Sequence, residues 1–506
     1  MALTKVTYSM IEGSPLNVLD YGADPTGIDN CAAAFNAAIA ALSGGGAIYV
    51  PSGTYKIATS VVLDDNITIF GDGATTVISS FTAGTIDNAE NGTFVAKSKT
   101  NVTLRGLNFV CGSNGGLRVK FILTNNIYVV DCFFDGYLPS TDLMDVVLYV
   151  GGCDDVYVEN TEFKDIRDAL YLCRDNHTTG TDTKQTNVSG CLFYQEHHGT
   201  SHQYPTGIYV FYAEKTIITF STFKNIKPST NNPSYYGYGI YEGDGEAEIV
   251  RISNCTFIDD DGITNGVSHG TLISFADSAF IENCSFNGPL RPMIGCGNET
   301  VVTGNVAYST SSCNFQKQSG APVGGTFVFS NNIFSDLSGN LQWGGAGHGN
   351  INALICSNNT INTSTGPGFT FEEIDYVQAV GNTIIDCNTS TGTGVNGSGF
   401  VFNGPTLGLV SDNIVVNQTA AGKAEYGVWF VSSSLNNVVV TPTNSFQNMT
   451  TGSAYQARTG APTVGKWMKG SRFWYFDTLT AGGTEGVVCV TAGTPGTWKE
   501  FGSVQA

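Results

Sequence analysis

The sequence predicts an all-β parallel β-helix, and three observations carry that prediction. A short signature recurs along most of the chain, apolar residues alternate at period two within it, and the stretches between copies are rich in Gly, Asn and Thr, with no room for a crossover helix. Period-two alternation means a strand with one buried face, and a repeat of this length can bury that face only against its neighbours.

The signature is an apolar residue, a gap, a second apolar residue, then Asn, Asp or Gly, then Cys or Asn, and two positions later a bulky apolar anchor. NIYVVDCFF, DVYVENTEF, EIVRISNCTF, FIENCSF, FVFSNNIF and NALICSNNTI show it best. The thirteen anchors are Phe109, Phe134, Phe163, Phe193, Phe223, Phe257, Phe286, Tyr308, Phe334, Ile361, Ile384, Val415 and Phe446, at intervals of 22 to 34 residues. Most coils carry a second strand ahead of the signature, as in MDVVLYV, ALYLC, GIYVFY, GTLISF, GFTF, GFVF and YGVWF.

In such a stack, residues at equal offsets lie roughly 4.8 Å apart, one strand spacing per coil. Two positions before the anchor this files Cys132, Cys191, Cys255 and Cys284, and further on Asn332, Asn359, Asn382, Asn413 and Asn444. The thiols are expected to fill core, since buried Cys behaves as a small hydrophobe. The amides are expected to donate and accept along a continuous file.

Ahead of the coils, TGIDNCAAAFNAAIAALSGGG is the one predicted helix, with Cys31, Ala34, Phe35, Ala38, Ile39 and Leu42 on one stripe and Gly44 to Gly46 as the stop. It is expected to plug the open end of the core, as solenoid caps do. After Phe446 the pattern breaks, and KWMKGSRFWYFD, EGVVCVTAG and TPGTWKEFG read as short strands of a small β module with Trp467, Trp474 and Trp498 as its core. The expected organisation is an entry segment and capping helix over 1–60, the β-helix over 61–450 and the module over 451–506.

Composition sets limits. The chain has 506 residues, 62 of them Gly, and only 13% charged, which suits a long core with small polar turns. Its 13 Cys are odd in number and form no CxxC pair, so neither a disulfide framework nor a zinc ribbon is expected. A net charge of −20 argues against nucleic acid and anionic membrane as partners, because both require a basic face. No apolar stretch reaches spanning length, so membrane insertion is not expected. The start, MALTKVTYSM, has no apolar export core and predicts folding in a cytoplasm without Sec export. No cofactor and no metal are expected.

NVLDYGADPTGIDN (17–30), the alanine-rich helix and AIYVPSGTYKI (47–57) resemble the entry segment of the pectate-lyase-like right-handed β-helix family as it occurs in bacteriophage tailspike proteins. The resemblance is specific over this segment, and the coil pattern extends it toward Phe446. It implies a right-handed β-helix and a homotrimer on a virion tail, each chain binding and usually cleaving a bacterial surface polysaccharide such as capsule or O-antigen. No catalytic motif of the plant-cell-wall pectin enzymes is matched, so pectin is not implied. So little chain precedes the entry segment that attachment is expected through a short peptide on a virion adaptor or another tail fibre. The last strands resemble a small β module at the ends of phage tail proteins, with trimer clamping or sugar contact as its roles.

Outward-pointing residues of stacked coils form parallel files suited to a long polymer. Alternation in the second strands puts Leu172, Val210 and Ile240 inward and Tyr171, Tyr209 and Tyr241 outward, with Tyr149 and Phe211 nearby. These tyrosines, Phe211, Arg174 and Glu246 are the candidate substrate contacts; an aromatic row of this kind also marks subunit contacts. Glycoside hydrolysis needs two carboxyl groups, roughly 5 to 5.5 Å apart for retention and 6.5 to 9.5 Å for inversion. Acids nine positions before the anchor recur at Asp154, Glu214, Glu248, Asp277, Glu299 and Asp375 and read as a turn preference. The catalytic candidates lie outside that file: Glu242 and Asp244 in GIYEGDGE, Asp175 in LCRDNH and Glu372 in FTFEEID. Glu242 and Asp244 lead, because alternating carboxylates beside Tyr241 would raise one pKa, as a general acid requires.

Weaker signals are GVSHG (266–270), an esterase-like pattern without its strand-to-helix elbow, and EHHGTSH, whose His197, His198 and His202 read as a substrate-facing loop rather than a metal site. The expected activity is polysaccharide depolymerisation by hydrolysis. The alternatives are a lyase acting by β-elimination and a non-cleaving receptor-binding adhesin.

Overall fold

The computed structural model describes residues 14–80, 91–111, 118–137, 144–176, 180–197, 204–228, 236–242, 247–261, 267–273, 276–294, 298–315, 325–344, 351–389, 397–403, 407–418, 424–430, 438–441, 443–449, 461, 469–470, 472–474, 483–493 and 496–503. The chain divides into two compact units, Met1–Ser278 and Ala279–Ala506. Each winds as a right-handed parallel β-helix whose coils have three walls.

In the first unit, wall one stacks the strands Asn125–Val130, Asp154–Glu159, Thr183–Ser189, Ala213–Thr219 and Ile249–Ser253, each parallel to the next. Wall two stacks the short strands Phe133–Asp135, Glu162–Lys164, Leu192–Tyr194, Thr222–Lys224 and Thr256–Ile258. Wall three stacks β1 (Val119–Ile122), β2 (Met144–Gly151), β3 (Ile166–Cys173), β4 (Thr206–Val210), β5 (Tyr236–Glu242) and β6 (Val267–Ile273). The sequence signature therefore spans two walls rather than one strand. Its Asn, Asp or Gly is a left-handed bend between them, with φ of 53° at Asp131, 47° at Asn160, 66° at Gly190 and 55° at Asn254. That conformation costs most residues roughly 1–2 kcal/mol, and short polar residues and Gly adopt it most readily. Phe220 takes the same bend at 50° and is 66% exposed.

The anchors after these bends form a ladder. Ring centroids are 4.8 Å apart for Phe109–Phe134, 5.1 Å for Phe134–Phe163, 4.8 Å for Phe163–Phe193 and 4.9 Å for Phe193–Phe223 and Phe223–Phe257, close to the strand spacing. Cys132, Cys191 and Cys255 are buried beside them as free thiols. Burial pushes the Cys132 thiol up to about 12, which leaves it protonated and inert. Between these cysteines the column is completed by Thr161 and Ser221, whose hydroxyls accept from the backbone N–H of Cys132 and Cys191.

The helix is shorter than the sequence pattern. α1 spans Ala32–Ala41, while TGIDN is a strand, Thr26–Asn30, pairing in parallel with Gly53–Ile57. The apolar stripe itself starts at Cys31, the residue just before α1, so TGIDN lay outside it. The capping expectation fits the packing: Phe35 of α1 is fully buried, its ring 6.1 Å from Tyr55 and 5.8 Å from Phe94.

In the second unit one anchor shifts by a residue. Ala307, not Tyr308, pairs with both Phe286 and Phe334, and Tyr308 is 49% exposed. Phe446 pairs with Val415 and is partly exposed. The amide file gains Asn305 ahead of Asn332, Asn359, Asn382, Asn413 and Asn444, and in each step Oδ1 of one Asn accepts from Nδ2 of the Asn before it. Each of those oxygens also accepts a backbone N–H, as from Asn332 to Asn359 at 3.0 Å. The unit also holds an antiparallel sheet of Arg472–Trp474, Gly486–Thr491 and Thr497–Phe501. Val487 and Cys489 are buried there, and Cys489 is in register with Trp498; Trp467 lies outside the described residues.

Candidate functional site: a tyrosine-lined groove

Wall three of the first unit keeps one register through its tyrosines. Lys120, Tyr149, Tyr171, Tyr209, Tyr241 and Leu272 occupy successive rungs of one file, and Thr206, Tyr238 and His269 occupy another. Close stacking of the rungs is permitted by glycine. A Cβ on Gly239 would lie 2.7 Å from the carbonyl oxygen of Gly270 and 2.8 Å from the Phe257 ring.

The file begins covered, opens at Tyr209 and Tyr241, and is covered again at Leu272. Tyr149 and Tyr171 point away from the coil core yet are 3% and 6% exposed, because they join Ile122, Val146, Cys173 and Phe211 in a second apolar cluster against Tyr209 and Tyr212. The expected row of exposed aromatics is thus corrected at Tyr149, Tyr171 and Phe211, which are buried supports. Arg174 stacks on Tyr212 at 3.8 Å from its centroid and is ion-paired with Asp182.

Beyond this support Tyr204, Thr206, Tyr209, Tyr236, Tyr238 and Tyr241 line an open pocket of about 370 Å³. Tyr209 lies 4.9 Å from Tyr171 and 5.0 Å from Tyr241, and Tyr241 lies 4.8 Å from Tyr238. His269, itself 3% exposed, stacks on Tyr236 at 4.7 Å and meets Tyr238 edge-on at 5.0 Å. The result is a set of phenol faces fixed by their neighbours, with hydroxyls to orient a ligand. That is the character of a small-molecule or sugar pocket, mostly apolar with a few polar groups.

The carboxylate candidates are placed differently. Glu242 is fully buried, in register with Ile273 of the core, and its Oε2 accepts the backbone N–H of Ala276 at 3.2 Å. The expectation of a solvent-facing acid is corrected there: strand β5 runs one residue further than GIYEGDGE had indicated, and alternation turns Glu242 inward. Asp244 and Glu246 lie outside the described residues. Asp175 closes a turn, Oδ1 accepting the N–H of Thr181 at 2.6 Å. Glu372, in the second unit, is held by Gln342 Nε2 and Asn403 Nδ2, each at 2.9 Å.

The pocket unites Tyr209 and Tyr241 with Tyr204, Thr206, Tyr236 and Tyr238, and His269 packs against the last two; sequence reasoning had not singled these out. The spacing of YYGYGIY was the available signal. Ser268 of GVSHG sits inside β6, in register with Gly237, and not on an elbow. His198 and His202 lie outside the described residues. His197 is bound through Nδ1 to Oδ2 of the buried Asp165 at 2.8 Å and stacks on Tyr137 at 4.0 Å. Asp165, Glu196 and His197 are close enough to share a cation, but Lys164 already pairs with Glu196 at 2.7 Å.

Fold and groove together define a parallel β-helix protein with an aromatic surface site. Residues 16–115 match the family model described as Rhamnogalacturonase A/epimerase, pectate lyase-like, which takes in the whole entry segment. Among solved structures the chain resembles tailspike protein 3 of bacteriophage CBA120, at 12% identity and a TM-score of 0.49, over 97% of this chain and 70% of that one. It also resembles the N-terminal fragment of bacteriophage Phi29 gene product 12, at 14% identity and a TM-score of 0.49, over 84% and 72%. A tailspike mutant of E. coli bacteriophage HK620, solved in complex with a pentasaccharide, aligns at 15% identity and a TM-score of 0.44, over 86% and 84%. At these identities the likeness is one of fold. No curated protein matches by sequence.

Proposed function

We propose that this chain is a subunit of a phage tailspike, and that its tyrosine groove grips a bacterial surface polysaccharide, capsule or O-antigen, which is then cut by glycoside hydrolysis. The groove carries the reading. Partly exposed phenol faces on adjacent rungs, braced from behind by a buried aromatic cluster, offer flat apolar surfaces at intervals set by the strand spacing. A polymer of rings is the ligand that uses such an arrangement. The match of the entry segment to a pectate-lyase-like model supports carbohydrate as the ligand class. The virion tail, the homotrimer and the adaptor or fibre contact rest on the tailspike resemblance of that same segment.

Hydrolysis requires a protonated and an ionised carboxyl group at the scissile bond. Glu242 is committed to the backbone of Ala276, so we assign Asp244, two positions past the groove strand, to the chemistry. Incubation with purified capsule and O-chain polymers should release reducing ends without an ultraviolet-absorbing enoate. Asp244→Asn should lower that release about 100-fold or more while binding persists. Unchanged release in this variant would remove Asp244, and an enoate product would mean elimination.

A non-cleaving adhesin is the second reading. One observation favours it: Glu242, Asp175 and Glu372 each make hydrogen bonds within the fold. Polymer that is bound but keeps its length would decide for it.

A further inference from the structure

We infer that the groove takes an electrically neutral glycan, built of hexose, deoxyhexose or N-acetylhexosamine units, and not a polymer of uronic acids or sugar phosphates. The inference rests on the groove being a glycan site and narrows its substrate.

The first observation is the lining. Among the described residues the pocket is walled by five tyrosines and a threonine, with no charged side chain. Phenol hydroxyls and Thr206 can donate to and accept from sugar hydroxyls, but a carboxylate or phosphate would find no cation to replace its water, and desolvating an unpaired charge is costly.

The second observation is the fate of every basic residue in the chain around the groove. From residue 204 to 278 the lysines and arginines are Lys215, Lys224, Lys227 and Arg251, and the one histidine, His269, is 3% exposed against Tyr236 and Tyr238. Lys215 and Arg251 sit on strands of wall one, not wall three. Lys224 is paired with Asp260 on wall two. The side chain of Lys227 is 1% exposed, between Asp259 at 2.6 Å and Asp261 at 2.7 Å. Lys120, on the tyrosine file, is fully buried 5.7 Å from the Tyr149 ring, and Arg174 is matched by Asp182.

The third observation is sequence alone. The stretches 198–203, 229–235, 243–246, 262–266 and 274–275, which flank β4, β5 and β6, contain Asp244 and Glu246 and not one Lys or Arg. With a net charge of −20, the chain as a whole is negative toward an approaching polyanion. Like charge then repels it over roughly a Debye length, about 10 Å at 0.1 M salt.

The chemistry follows. β-Elimination acts on a sugar whose carboxylate acidifies the neighbouring C–H and has that charge neutralised by the protein. A neutral polymer has no such group, so the bond must break by hydrolysis if it breaks at all.

The test uses the full chain against an array of purified bacterial polysaccharides in which every acidic member is also present carboxyl-reduced, its uronic acids converted to neutral hexoses. Captured polymers should be neutral, and capture should change little between about 50 and 500 mM NaCl. Tyr204→Ala, at a position 47% exposed in the fold, and Tyr209→Ala should each weaken capture roughly tenfold. Capture of uronate or phosphate polymers that fades with salt, is lost on carboxyl reduction and falls in Tyr204→Ala overturns the neutral assignment and leaves the groove standing. Capture indifferent to both tyrosine variants, or no capture from the array, overturns the groove reading and this inference with it.

Discussion

Asn359 donates through Nδ2 to Oδ1 of Asn382 at 2.9 Å, and the same oxygen accepts the backbone N–H of Asn359 at 3.0 Å. From Asn332 to Asn413 each amide oxygen therefore satisfies two donors of its neighbour, and these four side chains are buried away from water. Asn359→Ala would take away the acceptor of the Asn332 N–H and one bond each from Nδ2 of Asn332, the carbonyl of Phe329 and Oδ1 of Asn382. An unmade buried hydrogen bond costs roughly 1–3 kcal/mol, and partial relaxation sets the expected total loss at about 3 kcal/mol. Chemical denaturation of the variant checks this; a loss below that of a typical surface substitution would mean the file is dispensable.

Phe220 offers the opposite experiment. It occupies a left-handed bend where other coils use Asn, Asp or Gly, and its ring is 66% exposed, so little packing offsets the strain. Phe220→Asn should stabilise the protein by about 1 kcal/mol. A raised thermal midpoint is the readout, and a lowered one would show that the exposed ring has a partner.

Acid should loosen the entry segment only below pH 3.8. The Asp24 carboxyl is held down at about 2, against an ordinary 3.8, by the N–H of Asp29 foremost, then by the hydroxyl and N–H of Thr26 and the N–H of Ile28. Because the folded value lies below the unfolded one, this stabilisation is complete above pH 3.8 and is lost as pH falls through 2. Hydrogen exchange of residues 26–30 should accelerate over that interval in the wild-type chain. Asp24→Asn should show fast exchange at neutral pH and little further change on acidification.

Lys227 is a buried cation that pairs with two acids at once. Lys227→Met leaves Asp259, with a side chain 3% exposed, and Asp261 facing each other without their counter-charge. Breaking such a buried group from one side costs about 3–5 kcal/mol. Urea unfolding should show that loss, and the double replacement Asp259→Asn with Lys227→Met should recover part of it.

The stack was legible because its rules are local. Phe163 and Phe193 announce themselves by following a bend residue and a small polar residue, and three-dimensional register adds nothing to that. Tyr308 was misleading for the same reason: a bulky ring beside Ala307 looks like an anchor, whereas Asn305, two before the true position, marks the register better. The groove was half legible. Tyr209 and Tyr241 follow strand alternation, whereas Tyr238 and His269 meet through the register of β5 on β6, which repeats of unequal length do not reveal in the sequence. Glu242 looked like a loop acid because glycines follow it; register with Ile273 makes it a core residue.

The seating of Phe35 on Tyr55 and Phe94 has a consequence for the life of the molecule in a crowded cell. An unplugged rung is a template: its free backbone edge would accept the terminal rung of another copy, and then another, as fibrils grow. One short helix, set across the opening, makes the winding a finite object.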